Sequence, residues 1–190
     1  MGAKGESVFL AQILCLKTIL AQQQISLTIR RLANQLLENH APLSQTAFIG
    51  IQPRGIYLSD RLVDEIRAET GQQDIDYGRM DITFYRDDIR KEVHLPNKTD
   101  IRFSIEGKKV VLIDDVLYTG RTIRAAMDAL MDFGRPEKVE LLVLIDRRYS
   151  RELPIQADYI GKSIDSIISQ KVKVTWQERD GRDEVLLLDE

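Results

Sequence analysis

Short unbroken apolar runs alternate along the chain with amphipathic stretches of helical period. Residues 47–51, 110–113 and 139–145 are such runs, the pattern of strands covered on both faces in a parallel sheet. Residues 26–39 set Ile29, Leu32, Ala33, Leu36 and Leu37 on one stripe and predict a helix, with Ser26 or Thr28 as its cap. Residues 56–69 repeat the stripe with Ile56, Leu58, Leu62, Val63 and Ile66. Ile123, Met127, Leu130 and Met131 form the apolar face of a third helix, ended by Gly134 and Pro136. Alternation at Met80, Ile82 and Phe84 predicts a strand within residues 74–85, and Val172 and Val174, alternating with Lys171 and Lys173, predict an edge or half-buried one. A last short strand falls at residues 185–188. Strands and helices alternate to residue 145, which predicts an α/β fold with a mostly parallel sheet between helices. The remainder, mostly strand and loop, predicts a small cap, or hood.

Composition narrows the class. The 190 residues fit a single domain, 43% hydrophobic and 30% charged, as in a soluble globular protein. We expect that domain at residues 19–190, behind an accessory extension at 1–18. A net charge of −3 gives no global attraction to nucleic acid, so an RNA site needs a local basic patch. One cysteine, Cys15, excludes an intrachain disulfide framework and suits a reducing cytoplasm. His40 and His94 form no metal-site pattern. Residues 8–20 are apolar in places but too short, and too interrupted by Gln12 and Lys17, to span a membrane. Leu14 precedes Cys15 where a processing site wants a small residue, and Glu6 stands where a myristoylation motif wants Ser or Thr. The expected location is therefore cytoplasmic, with no membrane partner.

The candidate chemistry lies after the run at residues 110–113. Asp114 and Asp115 follow it, then the turn Thr119-Gly120-Arg121-Thr122, then the third helix. A helix N-terminus offers unpaired N–H groups and a positive dipole end, which suit a phosphate. Gly120 permits close backbone approach, and the Thr119 and Thr122 hydroxyls add donors. Two carboxylates would repel a phosphate but suit vicinal hydroxyls, a metal ion, or both. The implied ligand has a phosphate at one end and a diol at the other, as ribose 5-phosphate does, and lies beyond the carboxyl ends of the strands. A second strand–turn–helix unit carries Gln52-Pro53-Arg54-Gly55, where a guanidinium beside a glycine can grip pyrophosphate oxygens. Residues 86–102 are charged and irregular. They read either as a solvated loop or as a lid that brings Arg86, Arg90 and Lys91 over the site.

Residues 110–134 closely resemble the phosphoribosyl pyrophosphate (PRPP) motif of type I phosphoribosyltransferases. Asp-Asp-Val-Leu-Tyr-Thr-Gly-Arg-Thr at 114–122 resembles the form in the bifunctional pyrimidine-operon attenuation regulators that are also uracil phosphoribosyltransferases. The similarity extends over residues 50–66, 80–91 and 134–163, and covers nearly everything from about 25 to 175. The resemblance implies the type I phosphoribosyltransferase fold with its hood, and uracil as acceptor. It implies catalytic roles for Arg54, Asp114 and Asp115. PRPP would be bound by Pro53, Arg54, Gly55, Asp114, Asp115, Val116, Leu117, Tyr118, Thr119, Gly120, Arg121 and Thr122, with Mg²⁺ held indirectly, through PRPP, at Asp114 and Asp115. Residues 85–101 would form the lid, and Asp146, Arg147 and Val172 would meet the base. Purine enzymes of this fold usually carry an acidic residue where this chain has Tyr118, which favours a pyrimidine. Regulators of this family bind the leader of a pyrimidine-biosynthesis messenger, more tightly with a uridine nucleotide such as UMP or UTP bound. Arg31, Arg151 and Lys162 would fit such an RNA face, although Asn34 and Gln156 replace a histidine and an arginine of relatives. Arg148-Tyr149-Ser150 also replaces a shorter Gly-His. Two readings stay open, an enzyme that also regulates through RNA and an enzyme alone, acting on uracil or another base. A homodimer or higher homo-oligomer is implied.

Overall fold

A computed structural model describes residues 16–86, 98–167 and 169–189. In chain order the elements are β1 (Leu16–Ala21), α1 (Gln22–Asn39), β2 (Thr46–Ile51), α2 (Gly55–Thr70), β3 (Asp76–Met80), β4 (Lys109–Leu117), α3 (Arg121–Leu130), β5 (Lys138–Arg148), β6 (Tyr159–Asp165), β7 (Gln170–Thr175) and β8 (Glu184–Asp189). Strands β3-β2-β4-β5-β6 form one sheet, and every pairing in it is parallel. Strands β1-β8-β7 form a second, antiparallel sheet, the hood.

The apolar runs are continuous because the sheet is covered on both faces. On β4, Val111 and Ile113 face α1 and α2, while Val110 and Leu112 face α3. Alternate side chains of a strand point to opposite layers, so neither face can be polar. The α1–α2 layer continues into the hood through Val174, Trp176 and Val185. Arg61 of α2 clamps this joint. It bonds Glu178 at 2.8 and 3.0 Å and Asp183 at 2.8 and 2.9 Å, with its guanidinium 4.9 Å from the Trp176 ring centroid.

Several expectations change. Helix α1 begins at Gln22, and its cap position is Ala21, whose N–H donates to Gln24 Oε1 at 2.9 Å. Ser26 and Thr28 instead donate back to the Gln22 and Gln24 carbonyls. The strand predicted within 74–85 stops at Met80, and Phe84 lies in a 3₁₀ turn, 83% exposed. Met127 lies on the exposed side of α3, where the buried face uses Ala125, Ala126 and Ala129 instead, and Met131 is exposed in the 3₁₀ turn that follows the helix. The hood takes in Leu16–Ala21, because β1 pairs with β8, so the boundary expected at residue 18 falls inside a strand. Arg90 and Lys91 lie outside the described residues.

Candidate active site

The two central strands, β2 and β4, each end in a turn that opens a helix. The two turns touch. A Cβ on Gly55 would lie 2.5 Å from the Ile113 carbonyl oxygen and 2.9 Å from Asp114 Cα, so only glycine fits where α2 begins. Arg54, just before it, donates from Nε to Asp115 Oδ2 at 3.1 Å and from Nη2 to the Val174 carbonyl of the hood. One guanidinium thereby joins the first βα turn, the carboxylate pair and β7.

Asp114 and Asp115 are the sixth and seventh residues of β4, still inside the strand rather than beyond it. Both are 7% exposed. Asp114 Oδ1 accepts the Asp115 N–H at 2.9 Å. Burial, and then the charge of Asp115, push the Asp114 carboxyl well above the ordinary carboxylate range. Burial also raises Asp115, against the opposing pull of Arg54.

The phosphate-sized turn is braced from behind. Gly120, at φ +94°, is the N-cap of α3. The Thr119 carbonyl accepts the N–H groups of Glu152 and Leu153 at 3.0 and 3.1 Å. Arg151 donates to the Leu117 carbonyl at 3.2 Å and to that of Tyr118. With these carbonyls turned back, the first turn of α3 presents its N–H groups to a cleft of about 310 Å³ lined by residues 116–123, Arg86 and Glu152. A second cleft, about 490 Å³, is lined by Arg54, Asp115, Val116, Leu188 and residues 171–174. Val116 belongs to both, so a phosphate site, a carboxylate pair, a guanidinium and the hood strand follow one another along one path.

Residues 16–179 match the phosphoribosyl transferase domain. The bifunctional protein PyrR of Elusimicrobium minutum is 45% identical over 174 residues, spanning 90% of this chain and 96% of that one. PyrR of Picosynechococcus is 47% identical over 171 residues, again with 90% and 96% covered. This chain belongs to the PyrR family of phosphoribosyltransferases. Among solved structures, hypoxanthine phosphoribosyltransferase of Staphylococcus aureus superposes with a TM-score of 0.68 at 23% identity, covering 92% of each chain. The Trypanosoma cruzi enzyme superposes with a TM-score of 0.69 at 16% identity, covering 90% of each. The chain has the type I phosphoribosyltransferase fold, a five-stranded parallel sheet between helices with a small antiparallel sheet beside it.

For this PyrR-family chain, the residues singled out from sequence separate into groups. Arg54 and residues 115–122 line the two clefts together with Arg86, Gly55 packs against Asp114 beside them, and Pro53 lies in the exposed turn just before Arg54. Val172 lines the second cleft. Asp146 and Arg147 stand at the end of β5, next to Leu117, but line neither cleft. Asp146 pairs with Arg151. Arg147 is buried, with its guanidinium carbon 3.9 Å from the Tyr118 ring centroid, and it donates to Ser166 Oγ and to the Ile167 and Gln170 carbonyls. Arg31 and Lys162 are exposed near β6, where Arg31 holds the carbonyls of Ile160 and Gly161 and Lys162 reaches that of Ile19. Arg151 is not with them, because its donors are committed to carbonyls behind the phosphate turn and to Asp146. Sequence reasoning missed this bracing role and missed Lys171 and Lys173 at the second cleft. Neither has a local signature, since both depend on long-range contacts.

Proposed function

We propose that this chain transfers the phosphoribosyl group of PRPP to uracil, giving UMP and pyrophosphate, and that uridine nucleotide in the same site strengthens its binding to the leader of a pyrimidine-operon messenger. The observation that carries the enzymatic half is Arg54 beside Asp115, with a phosphate-ready helix start at the other end of the same strand–turn unit. The 5-phosphate takes the N–H groups and hydroxyls of residues 119–122. Asp114 and Asp115 accept the ribose hydroxyls. As the bond from the sugar carbon to pyrophosphate breaks, Arg54 leaves Asp115 for the departing oxygens, and a uracil ring nitrogen closes on the same carbon and gives up its proton to the departing pyrophosphate or to water. Positioning and charge stabilisation supply the rate, and no side chain has to act as a strong base. Arg86, in the wall of the first cleft, adds a cation there. Two adjacent buried carboxylates suit a divalent cation that PRPP brings with it. Asp114 and Asp115 would hold Mg²⁺ in that way, and it would offset the charge on pyrophosphate. The base lies against the β7 backbone at Val172. Tyr118, packed under Arg147, puts an aromatic ring where purine enzymes of this fold usually carry an acidic residue, which favours a pyrimidine.

The site is cytoplasmic in this reading, and the chain works as a homodimer or an assembly of dimers. Among the described residues no helix is long and apolar enough to cross a membrane. The test measures pyrophosphate release from PRPP with uracil, hypoxanthine and guanine. Uracil should dominate, and Asp115→Asn should lower turnover roughly 10²- to 10³-fold, the usual cost of losing one polar contact to the transition state, without lowering the melting temperature. Near-wild-type turnover in that variant would overturn the ribose assignment. The regulatory half is tested by a gel shift of the leader RNA with and without UMP, and it fails if no shift appears at low salt.

A further inference from the structure

Strand β7 is an edge strand of the hood, and its residues 171–174 line the second cleft. Two arginines use the side of β7 that faces away from β8. Arg147 donates to the Gln170 carbonyl at 2.7 Å, and Arg54 donates to the Val174 carbonyl. Backbone groups along a strand alternate in direction, and the N–H and carbonyl of one residue leave the same edge. Val172 therefore presents its own N–H and carbonyl between these two bonds, at the place where the base lies. The side chains one residue away on each side are Lys171 and Lys173, both exposed and both in the wall of the cleft. Across the sheet they face Leu188 and Leu186. The carboxylates around them are engaged elsewhere. Glu184 accepts from Thr18 and Asp189 from Gln170, Asp180 accepts the Trp176 N–H and turns to Arg54, and Asp115 is bonded by Arg54. Among the described residues neither lysine forms an ion pair.

We propose that Lys171 and Lys173 are catalytic residues that stabilise the acceptor base as its anion. The proposal rests on the uracil reading above. A neutral uracil ring nitrogen is a poor nucleophile, because its electron pair is drawn into the flanking carbonyl groups. Once the ring N–H is lost, the negative charge spreads over that nitrogen and the carbonyl oxygens. Two ammonium groups without counter-charges, held beside the base, favour that charged form over the neutral one. They are in place before the reaction, so nothing has to reorganise as the charge develops. The bond from the ring nitrogen to the sugar carbon forms as the bond from that carbon to pyrophosphate breaks. Pyrophosphate keeps the electron pair of the broken bond, and the ring proton passes to pyrophosphate or to water. The lysines neither take nor give a proton. Their part differs from that of Arg54, which meets the departing oxygens from the other end of the same cleft. An acceptor that loses a proton as it reacts thus enters a wall that is positive on both sides of its backbone contact.

The experiment follows pyrophosphate release by the full chain with PRPP, Mg²⁺ and either uracil or 5-fluorouracil, whose ring N–H is more acidic. At neutral pH the double variant Lys171→Met/Lys173→Met should lose roughly 10²-fold in kcat/KM for uracil, the usual cost of removing charge stabilisation from a transition state, and less than roughly fivefold for 5-fluorouracil. Its rate with uracil should climb with pH as the free base ionises, while that of wild type stays level. The two single variants divide the loss between the lysines, and Lys171→Arg/Lys173→Arg should recover to within roughly threefold of wild type, since the charge is kept. Both positions are exposed, so melting temperatures should match wild type. Equal losses with the two bases would reduce the lysines to a packing role and overturn the proposal, while the uracil reading stands. A loss confined to the KM for PRPP would place them on pyrophosphate and overturn it too. A wild-type chain that turns over no uracil removes that reading and the proposal with it.

Discussion

Asp114 shows how a functional residue is held against its own preference. It sits at the end of a strand buried on both faces, with Asp115 as its neighbour, and burial together with that negative charge favours its neutral form. A carboxyl raised on folding stabilises the fold while protonated, below the unfolded value near 4, and that stabilisation is lost as pH rises through the folded value. Near neutral pH the buried carboxyl is therefore a cost to the fold. Asp114→Asn removes it, and should raise the melting temperature by about 2–4 °C while it abolishes pyrophosphate release. A variant that melts lower than wild type would mean that the carboxylate is compensated in the free protein. Gly55 is the matching case for sterics, since the methyl of an alanine has nowhere to go except into Ile113 and Asp114.

At the scale of elements, the hood is a separate sheet that Arg61 clamps to α2. Arg61 is half-buried against Trp176 and engages Glu178 and Asp183 with four bonds. Breaking a partly buried pair leaves Asp183 without its counter-charge, so Arg61→Met should cost about 2 kcal/mol, or roughly 4–8 °C. It should also speed amide exchange in β7 more than in β4, and equal exchange in both would show that the hood does not depend on this clamp. The central elements were legible in sequence because each carries a local period: β2, α2, β4, α3 and β5 follow their apolar runs, and the strand–acid–turn–helix order marks the phosphate end. The hood was only partly legible. Strand β1 begins in a stretch that reads as an irregular extension, and its partner β8 lies at the far end of the sequence. Strand β6 reads as loop because only Tyr159 and Ile164 along it are buried. Arg151 looks like surface charge until Leu117, Tyr118 and Asp146 are placed around it.

Across the whole molecule, the edge of the sheet opposite the active site holds a buried polar cluster. His40 Nε2 lies 2.8 Å from Glu140 Oε2 and 3.1 Å from the Tyr159 hydroxyl, and its Nδ1 lies 3.3 Å from Thr46 Oγ1. Burial, aided by Lys109 and Lys138, holds the imidazole below its usual value although Glu140 pulls the other way. Burial would raise Glu140, but Lys138 and His40 outweigh it and hold that carboxyl low. A histidine lowered on folding contributes stability above its unfolded value near 6.5, and this is lost as pH falls through the folded value. A lowered glutamate loses its contribution in the same direction at more acid pH. Melting curves from pH 7.5 to 5 should fall more steeply for wild type than for His40→Gln, and parallel curves would show that the imidazole titrates in the folded protein as it does in the unfolded chain.

The pairing of Leu16 with Leu188 has a consequence for how the protein is made. The two residues are 172 positions apart in the chain. At roughly 5–20 residues per second, β1 exists for about ten to thirty seconds before its partner has been synthesised. The parallel sheet, with its carboxylate pair and phosphate turn, can form in that interval. The hood waits, so a nascent chain acquires the residues that hold PRPP before the strand that meets the base is locked into its sheet.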